Sequence, residues 1–542
     1  MKRKINKYFA FIILCLLLTA CNQNATSDVK QGSEDQQVLR LVQTAEMPTL
    51  DSSLTTDTVS AQVLASVVEG LFELDEEDNP KPAIAESFDV SEDQKTYTFH
   101  LRKDAKWSNG EPVTADDFVY SWRRGVNPDT GAEYAYILYD IKNAEKINTG
   151  KSGPDELGVK AIDVHTLEVE LEHPVPYFLQ LTTLPMFAPL SQEYVEDSGS
   201  KYGLEADTTL YNGPFVVKEW KHEQSYLLEK NKHYWDHSEV NLDAIEVDIV
   251  KDSSTAINLF NTDEIDQVVL SAELVDQYKE SPDFKSFSDS RMFFLRLNQK
   301  NPILSKQKAR RAIDLAYNKE DLVNVLLNDG SLPAYYFVPK GLTKGPDGKD
   351  FRDTVGPLNE GTLKEAQALW KEAMDEENID SIEVELLNYD TESSRKIGEY
   401  IKNQLESNLE GLTIKIKQQP FKQKIELENK MEYEISLSGW SADYPDPMAY
   451  LDMLLSESPF NRTGFANEKF DSLILKSKGE LLEKPEERWK ALQEAEKILF
   501  EKMAISPVYQ KGVAYLEKGS VENVFIHKFG AQYGYKYAYL EK

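Results

Sequence analysis

Tyr97-Thr98-Phe99-His100-Leu101-Arg102-Lys103-Asp104-Ala105-Lys106-Trp107-Ser108-Asn109-Gly110, followed by Val113-Thr114-Ala115-Asp116-Asp117-Phe118-Val119-Tyr120-Ser121, is the stretch on which the fold class turns. Tyr97, Phe99 and Leu101 alternate with Thr96, Thr98, His100 and Arg102, which is the two-residue period of a half-buried strand. Trp107 to Glu111 reads as a turn. Thr114 then supplies an N-cap hydroxyl and Asp116 and Asp117 place acids in a first helical turn, so a helix starts here and carries Phe118, Val119 and Trp122 inward. A strand feeding a capped helix within thirty residues predicts a mixed α/β protein.

The same alternation continues on both sides. Upstream lie a strand at Val38 to Val42, a helix over Thr58 to Leu71 and an acidic turn from Asp75 to Pro80 that lacks the alternating ligands and glycine of a calcium loop. Downstream, strands are expected near 166–171, 215–220, 226–229 and 245–250, with helices near 255–260 and 308–327. The last third adds a strand at 382–388, a helix at 394–409, a strand at 412–418 and a long helix from Pro485 to Met503. No fixed period joins them, so this is not a repeat protein. Helices packed on mixed sheets in more than one lobe are expected.

Composition narrows the function. The net charge is −32 over 542 residues, and it becomes −36 without the four cations Lys2, Arg3, Lys4 and Lys7. Such a chain lacks the cationic surface that nucleic-acid binding needs. Hydrophobic residues at 41% and aromatics at 11% suffice for large cores. The nucleophile elbow Gly-x-Ser-x-Gly, the phosphate-binding Gly-Lys-Ser/Thr loop and His-Glu-x-x-His are all missing, and His233 and His237, although spaced i, i+4, read as loop residues beside a packing Tyr234-Trp235 pair. No cofactor or metal is expected.

The four cations precede an apolar run, Phe9 to Leu18, too short to span a bilayer, which takes about 20 residues. Leu18-Thr19-Ala20-Cys21 at its end resembles the lipobox of bacterial lipoproteins. That resemblance implies a signal peptide over 1–20, removal of it, and lipidation of Cys21, with 21–37 as a polar tether. Cys15 and Cys21 are the only cysteines, so a mature chain starting at Cys21 has no disulfide and no Cys-based zinc site.

Ala85-Glu86-Ser87-Phe88, the opening stretch, Tyr211-Asn212-Gly213-Pro214-Phe215, Asn231 to Trp235 and Phe294-Leu295-Arg296-Leu297-Asn298 together resemble the family 5 extracellular solute-binding proteins of bacterial ABC importers. Gly439-Trp440-Ser441-Ala442-Asp443-Tyr444 is similar to the oligopeptide-binding branch. The resemblance implies an α/β fold of the periplasmic-binding-protein type, class II-like, with two hinged lobes, a third extra domain and mixed β-sheets. Carried over, lobe I would be 38–80, 196–290 and 511–542, the extra domain 81–195 and lobe II 291–510. The implied function is capture of oligopeptides for an ABC importer, without catalysis, by a monomer anchored to the outer face of a Gram-positive cell membrane and read by the permease subunits.

By the same resemblance the backbones of Gly439, Ser441 and Leu71 would pair with the peptide, Asp443 would receive its α-ammonium, and Trp440, Tyr134 and Glu69 would line side-chain pockets. From the residues alone Asp443 also reads as a turn cap before Pro445 and Pro447, Trp440 as core, and Glu69 as a helix-end charge. Well-known oligopeptide binders carry an Arg two residues before the Gly-Trp pair. Leu437 stands here, and the preference expected from it is for longer or more hydrophobic peptides. The alternatives are a binder of nickel, haem or an oligosaccharide in the same fold, or a surface adhesin or hydrolase.

Overall fold

The strand–turn–helix of the opening stretch forms as its pattern dictates. Thr96–Leu101 is a strand with alternating burial, and Ala115–Val126 is a helix whose first turn is closed by Asp117, which accepts from the Thr114 amide (2.8 Å) and hydroxyl (3.0 Å). Phe99, Phe118 and Trp122 are fully buried together, so the two elements share one core. A computed structural model describes residues 36–542. The expected signal peptide over 1–20, Cys21 and the tether through residue 35 lie outside the described residues.

Three sheets carry the architecture. Val38–Gln43 pairs in parallel with Ala244–Ile249, which continues antiparallel to Ser225–Lys230 and Phe215–Lys221. Ala85–Val90, Thr96–Leu101, Thr166–Glu170 and Val159–Asp163 form a second, antiparallel sheet. The third has seven strands and is mixed. Its path is Gln267–Val269, Ile505–Glu517, Phe284–Leu297, Ile435–Trp440, Ile382–Tyr389 and Leu412–Gln419, with Leu332–Pro333 added on Ile505–Glu517. Residues 38–542 make one compact unit.

Phe284–Leu297 and Ile505–Glu517 are long, mutually paired strands, and they run unbroken through 290/291 and 510/511, with a register break between Ser288 and Met292. A break of this kind bends a strand locally.

Two helices differ from their sequence reading. The first ends at Val67, not Leu71: Val68 is already extended and closes the last turn by donating its N–H to the Leu64 carbonyl. The helix expected over 308–327 is Gln307–Leu315, and the chain restarts after Asn318, whose side chain accepts from the Asp321 amide at 3.0 Å.

Candidate ligand-binding site

Ile435–Trp440 lies between two strands, yet its partners are unequal. Phe284–Leu297 flanks it along its full length, whereas Ile382–Tyr389 pairs only at Leu386↔Ile435 and Leu387↔Ser436. From Ser438 onward one edge of the strand has, among the described residues, no strand beside it, which is a template for an added strand. It lies at the carboxyl ends of the parallel pair Ile382–Tyr389 and Ile435–Trp440, where open α/β sheets bind ligands.

The side chains after that edge converge. A Cβ on Gly439 would meet the Phe293 ring at 3.2 Å, so this position is held small. Trp440 donates its indole N–H to the Ala449 carbonyl (2.7 Å) and lies 5.4 Å from the Phe460 ring, so it is at once packed and part of a wall. Ser441 Oγ accepts from Arg291 Nε at 3.0 Å. Asp443 accepts from the Tyr134 hydroxyl. Burial pushes the Asp443 carboxyl up to about 6, against the opposing Tyr134 hydrogen bond and with help from Asp452. Among the described residues no cation pairs with it: the nearby Asp452 holds Lys478 (3.0 Å), and Asp140 faces His173 (3.2 Å).

A cavity of about 490 Å³ opens beside this carboxylate, walled by Tyr136, Tyr177, Trp440, Tyr444 and Phe460. Tyr177 stacks flat on Tyr444 at 3.8 Å, and Phe460 sits 4.8 Å from Tyr136. The aromatic walls suit variable apolar groups, and Asp443, one of several acids that line the cavity with Asp140, Glu145, Asp452, Glu457 and Asp471, suits a cation.

Gly439, Trp440, Ser441, Asp443 and Tyr134 are thus brought together. Glu69 and Leu71 form a second group. The Leu71 carbonyl accepts from both Ala83 and Ala85 (3.1 Å each), so what Leu71 has left for a ligand is its N–H. Glu69 accepts from the Tyr234 hydroxyl and from Trp235 Nε1 (2.6 Å), with Lys536 at 4.0 Å. Burial and Glu73 raise its carboxyl to about 7 although Lys536 opposes them. It lines a separate cavity of about 110 Å³ with Tyr535 and Lys536. Sequence reasoning missed Tyr136, Tyr177 and Phe460, which come from short turns without periodic pattern, and took Tyr234 and Trp235 as packing alone. Among the described residues no three His, Cys, Asp or Glu side chains converge as metal ligands do.

The pattern of the bacterial extracellular solute-binding proteins, family 5 (middle), matches residues 79–462. Dipeptide-binding protein DppE of Bacillus subtilis is 34% identical over 524 residues, 95% of each chain. The substrate-binding domain of an oligopeptide ABC transporter from Bacillus anthracis superposes with a TM-score of 0.85 at 48% identity, covering 94% of this chain and 99% of that one. Listeria monocytogenes OppA bound to peptide does so with a TM-score of 0.84 at 40% identity, covering 94% and 100%. The mixed sheets are those of the two-lobe α/β binding-protein fold that the sequence motifs imply, and the chain belongs to the family 5 bacterial extracellular solute-binding proteins.

Proposed function

We propose that this protein captures oligopeptides for an ABC importer, holding the peptide α-ammonium on Asp443 and the peptide backbone along the open edge at Gly439 and Ser441. The observation that carries this reading is the half-buried Asp443 carboxylate, paired with no cation among the described residues, beside a strand edge that Ile382–Tyr389 leaves uncovered beyond Ser436. Main-chain pairing is indifferent to side chains, and an ammonium is common to all unblocked peptides, so this pair of contacts suits a receptor for mixed sequences. Its relatives include peptide-binding transport proteins, which supports the same substrate class and a role without turnover.

In this reading the register break in the two long paired strands is the hinge, and the permease subunits recognise the closed form. The chain acts as a monomer. Lipidation at Cys21 holds it at the outer face of a Gram-positive membrane, where a free receptor would diffuse away.

Calorimetric titration tests the reading, with protein stripped of carried ligand by unfolding and refolding. A mixed-sequence hexapeptide should bind, and its N-acetylated twin should bind weaker by about 2 kcal/mol, roughly thirtyfold. Equal binding of the two would remove Asp443 from the site. Binding of neither would return nickel, haem and oligosaccharides to consideration.

A further inference from the structure

Two hydrophobic cores meet along the pair of long strands. Helix Ala272–Tyr278 buries Val275 in a core with Phe260, Val268 and Leu516, whereas helix Glu392–Asn408 buries Ile397, Ile401 and Leu405 in another with Val384 and Leu386. Phe284–Leu297 and Ile505–Glu517 feed both: Phe284 and Leu516 belong to the first core, Leu295, Leu297 and Val508 to the second. The register break between Ser288 and Met292 falls between those two sets. On the lobe ranges that the resemblance implies, the first helix lies in lobe I and the second in lobe II.

An ion pair joins these two helices. Lys396 donates to Glu273, and the same ammonium lies 3.2 Å from Glu392, one turn back on its own helix. Asp276, three residues from Glu273 and so on the same helical face, is reached by the Asn328 side chain from the other core. Asn328 is held in the left-handed region (φ 45°) at the end of 322–327, which packs Leu322, Val323 and Leu327 against the second core. The helix that carries Lys396 follows Ile382–Tyr389 directly, through the N-cap Thr391. The ion pair therefore sits toward the carboxyl end of that strand, the end at which the edge beyond Ser436 is uncovered.

We infer that Lys396 is a latch residue: paired with Glu273, it holds the two lobes together over a bound peptide and lengthens the time the peptide stays. This rests on the peptide and hinge readings above. The latch is reversible by construction, because Lys396 keeps Glu392 when the lobes part and opening leaves no bare cation. Its strength is modest, since Lys396 is 35% and Glu273 59% exposed and salt screens such a pair. Losing an exposed pair of this kind changes a rate by about two- to fivefold. Reversing one charge turns attraction across the gap into repulsion and should change it by about five- to tenfold.

The test is release of a labelled hexapeptide from the full protein, followed by stopped-flow displacement with excess unlabelled peptide. Lys396→Glu should speed release about five- to tenfold, and adding Glu273→Lys to it should restore most of the wild-type rate. Lys430→Glu makes the same change of charge at an exposed pair within one segment, with Glu426 at 2.6 Å, and should leave release unchanged. Lys396→Gln, the mildest variant, should release about two- to fivefold faster than wild type at about 0.05 M salt and match it near about 0.5 M. An acceleration that the charge exchange does not reverse, or that Lys430→Glu reproduces, comes from net charge and refutes the latch. If every variant releases peptide at the wild-type rate, the latch is refuted while the peptide reading stands. If the wild type binds no peptide, both fall.

Discussion

The Tyr134 hydroxyl donates to the Asp443 carboxylate across 309 residues of sequence. It is a neutral partner, so it satisfies one lone pair of a half-buried carboxylate without cancelling its charge. The carboxyl is consequently pushed up to about 6 by burial and keeps its affinity for a cation. A basic partner in place of Tyr134 would have stabilised the empty protein and closed the site.

Asp443→Asn should abolish the preference for a free N-terminus. Asn keeps the shape and can still accept from Tyr134, but it cannot pair with an ammonium. The loss expected for the free peptide is about 1.5 to 3 kcal/mol, with little change for the acetylated one. Titration of both peptides against both proteins measures the coupling directly, and unequal loss is the required result.

Acidity should weaken peptide binding through the same group. Below about 6 the Asp443 carboxyl takes up a proton and can no longer pair with the ammonium, so affinity for the free peptide falls about tenfold per pH unit until the ionic contribution is gone. The Tyr134 hydrogen bond opposes the rise in this pKa, and Tyr134→Phe removes that opposition. Its acid limb should therefore move to higher pH, by about one unit. An unchanged midpoint in binding measured from pH 4.5 to 8 would separate Tyr134 from the carboxylate.

How much of this was legible depends on where each signal resides. The opening strand and helix were readable because alternation and a capping pair are local, and the structure keeps both at Thr96–Leu101 and Thr114–Asp117. Asp443 and Tyr134 could be named only through resemblance, since nothing local in an acidic chain marks one carboxylate as cation-free. Lys424 and Glu428 were illegible for a sharper reason: spaced i, i+4 on Phe421–Asn429, they have the pattern of an exposed helical ion pair, and only the strand carrying Ser436 and Ser438 buries them. The Leu437 expectation weighed one side chain of that strand, whereas the cations around Glu428 come from a helix (Lys424), a loop (Arg462) and the neighbouring strand (Arg296).

Glu428 is buried beside Lys424, Arg462 Nη1 (3.4 Å) and Arg296 Nε (3.9 Å), and its surroundings make a stability prediction. Burial pushes its carboxyl upward, but Lys424 and Arg296 outweigh burial and hold it at about 2. A folded-state pKa below the unfolded value near 4.5 means stability that is present above 4.5 and is lost as pH falls toward 2. Glu428→Gln leaves three buried cations without a counter-charge and should cost about 3–5 kcal/mol at pH 7. In urea unfolding the gap between wild type and variant should narrow as pH drops from 4.5, and a gap independent of pH would contradict the ionic account.

Close backbone approach sets the last test, at the second group of residues. A Cβ on Gly70 would lie 2.3 Å from the Thr182 carbonyl oxygen, and backbone on both sides leaves no flexible side chain to yield. Gly70→Ala should therefore destabilise the protein by about 1–3 kcal/mol. It should also weaken peptide binding, because the displacement falls between Glu69 and Leu71 and moves the N–H that Leu71 has to offer. Gly519→Ala is the matched control: nothing lies within 4 Å of its Cβ, so the same methyl there should leave stability unchanged or raise it by under about 1 kcal/mol. Chemical unfolding and peptide titration of the pair distinguish crowding at the 70–182 junction from a general intolerance of lost glycine. If Gly70→Ala loses stability but binds peptide normally, the Leu71 amide takes no part in the site.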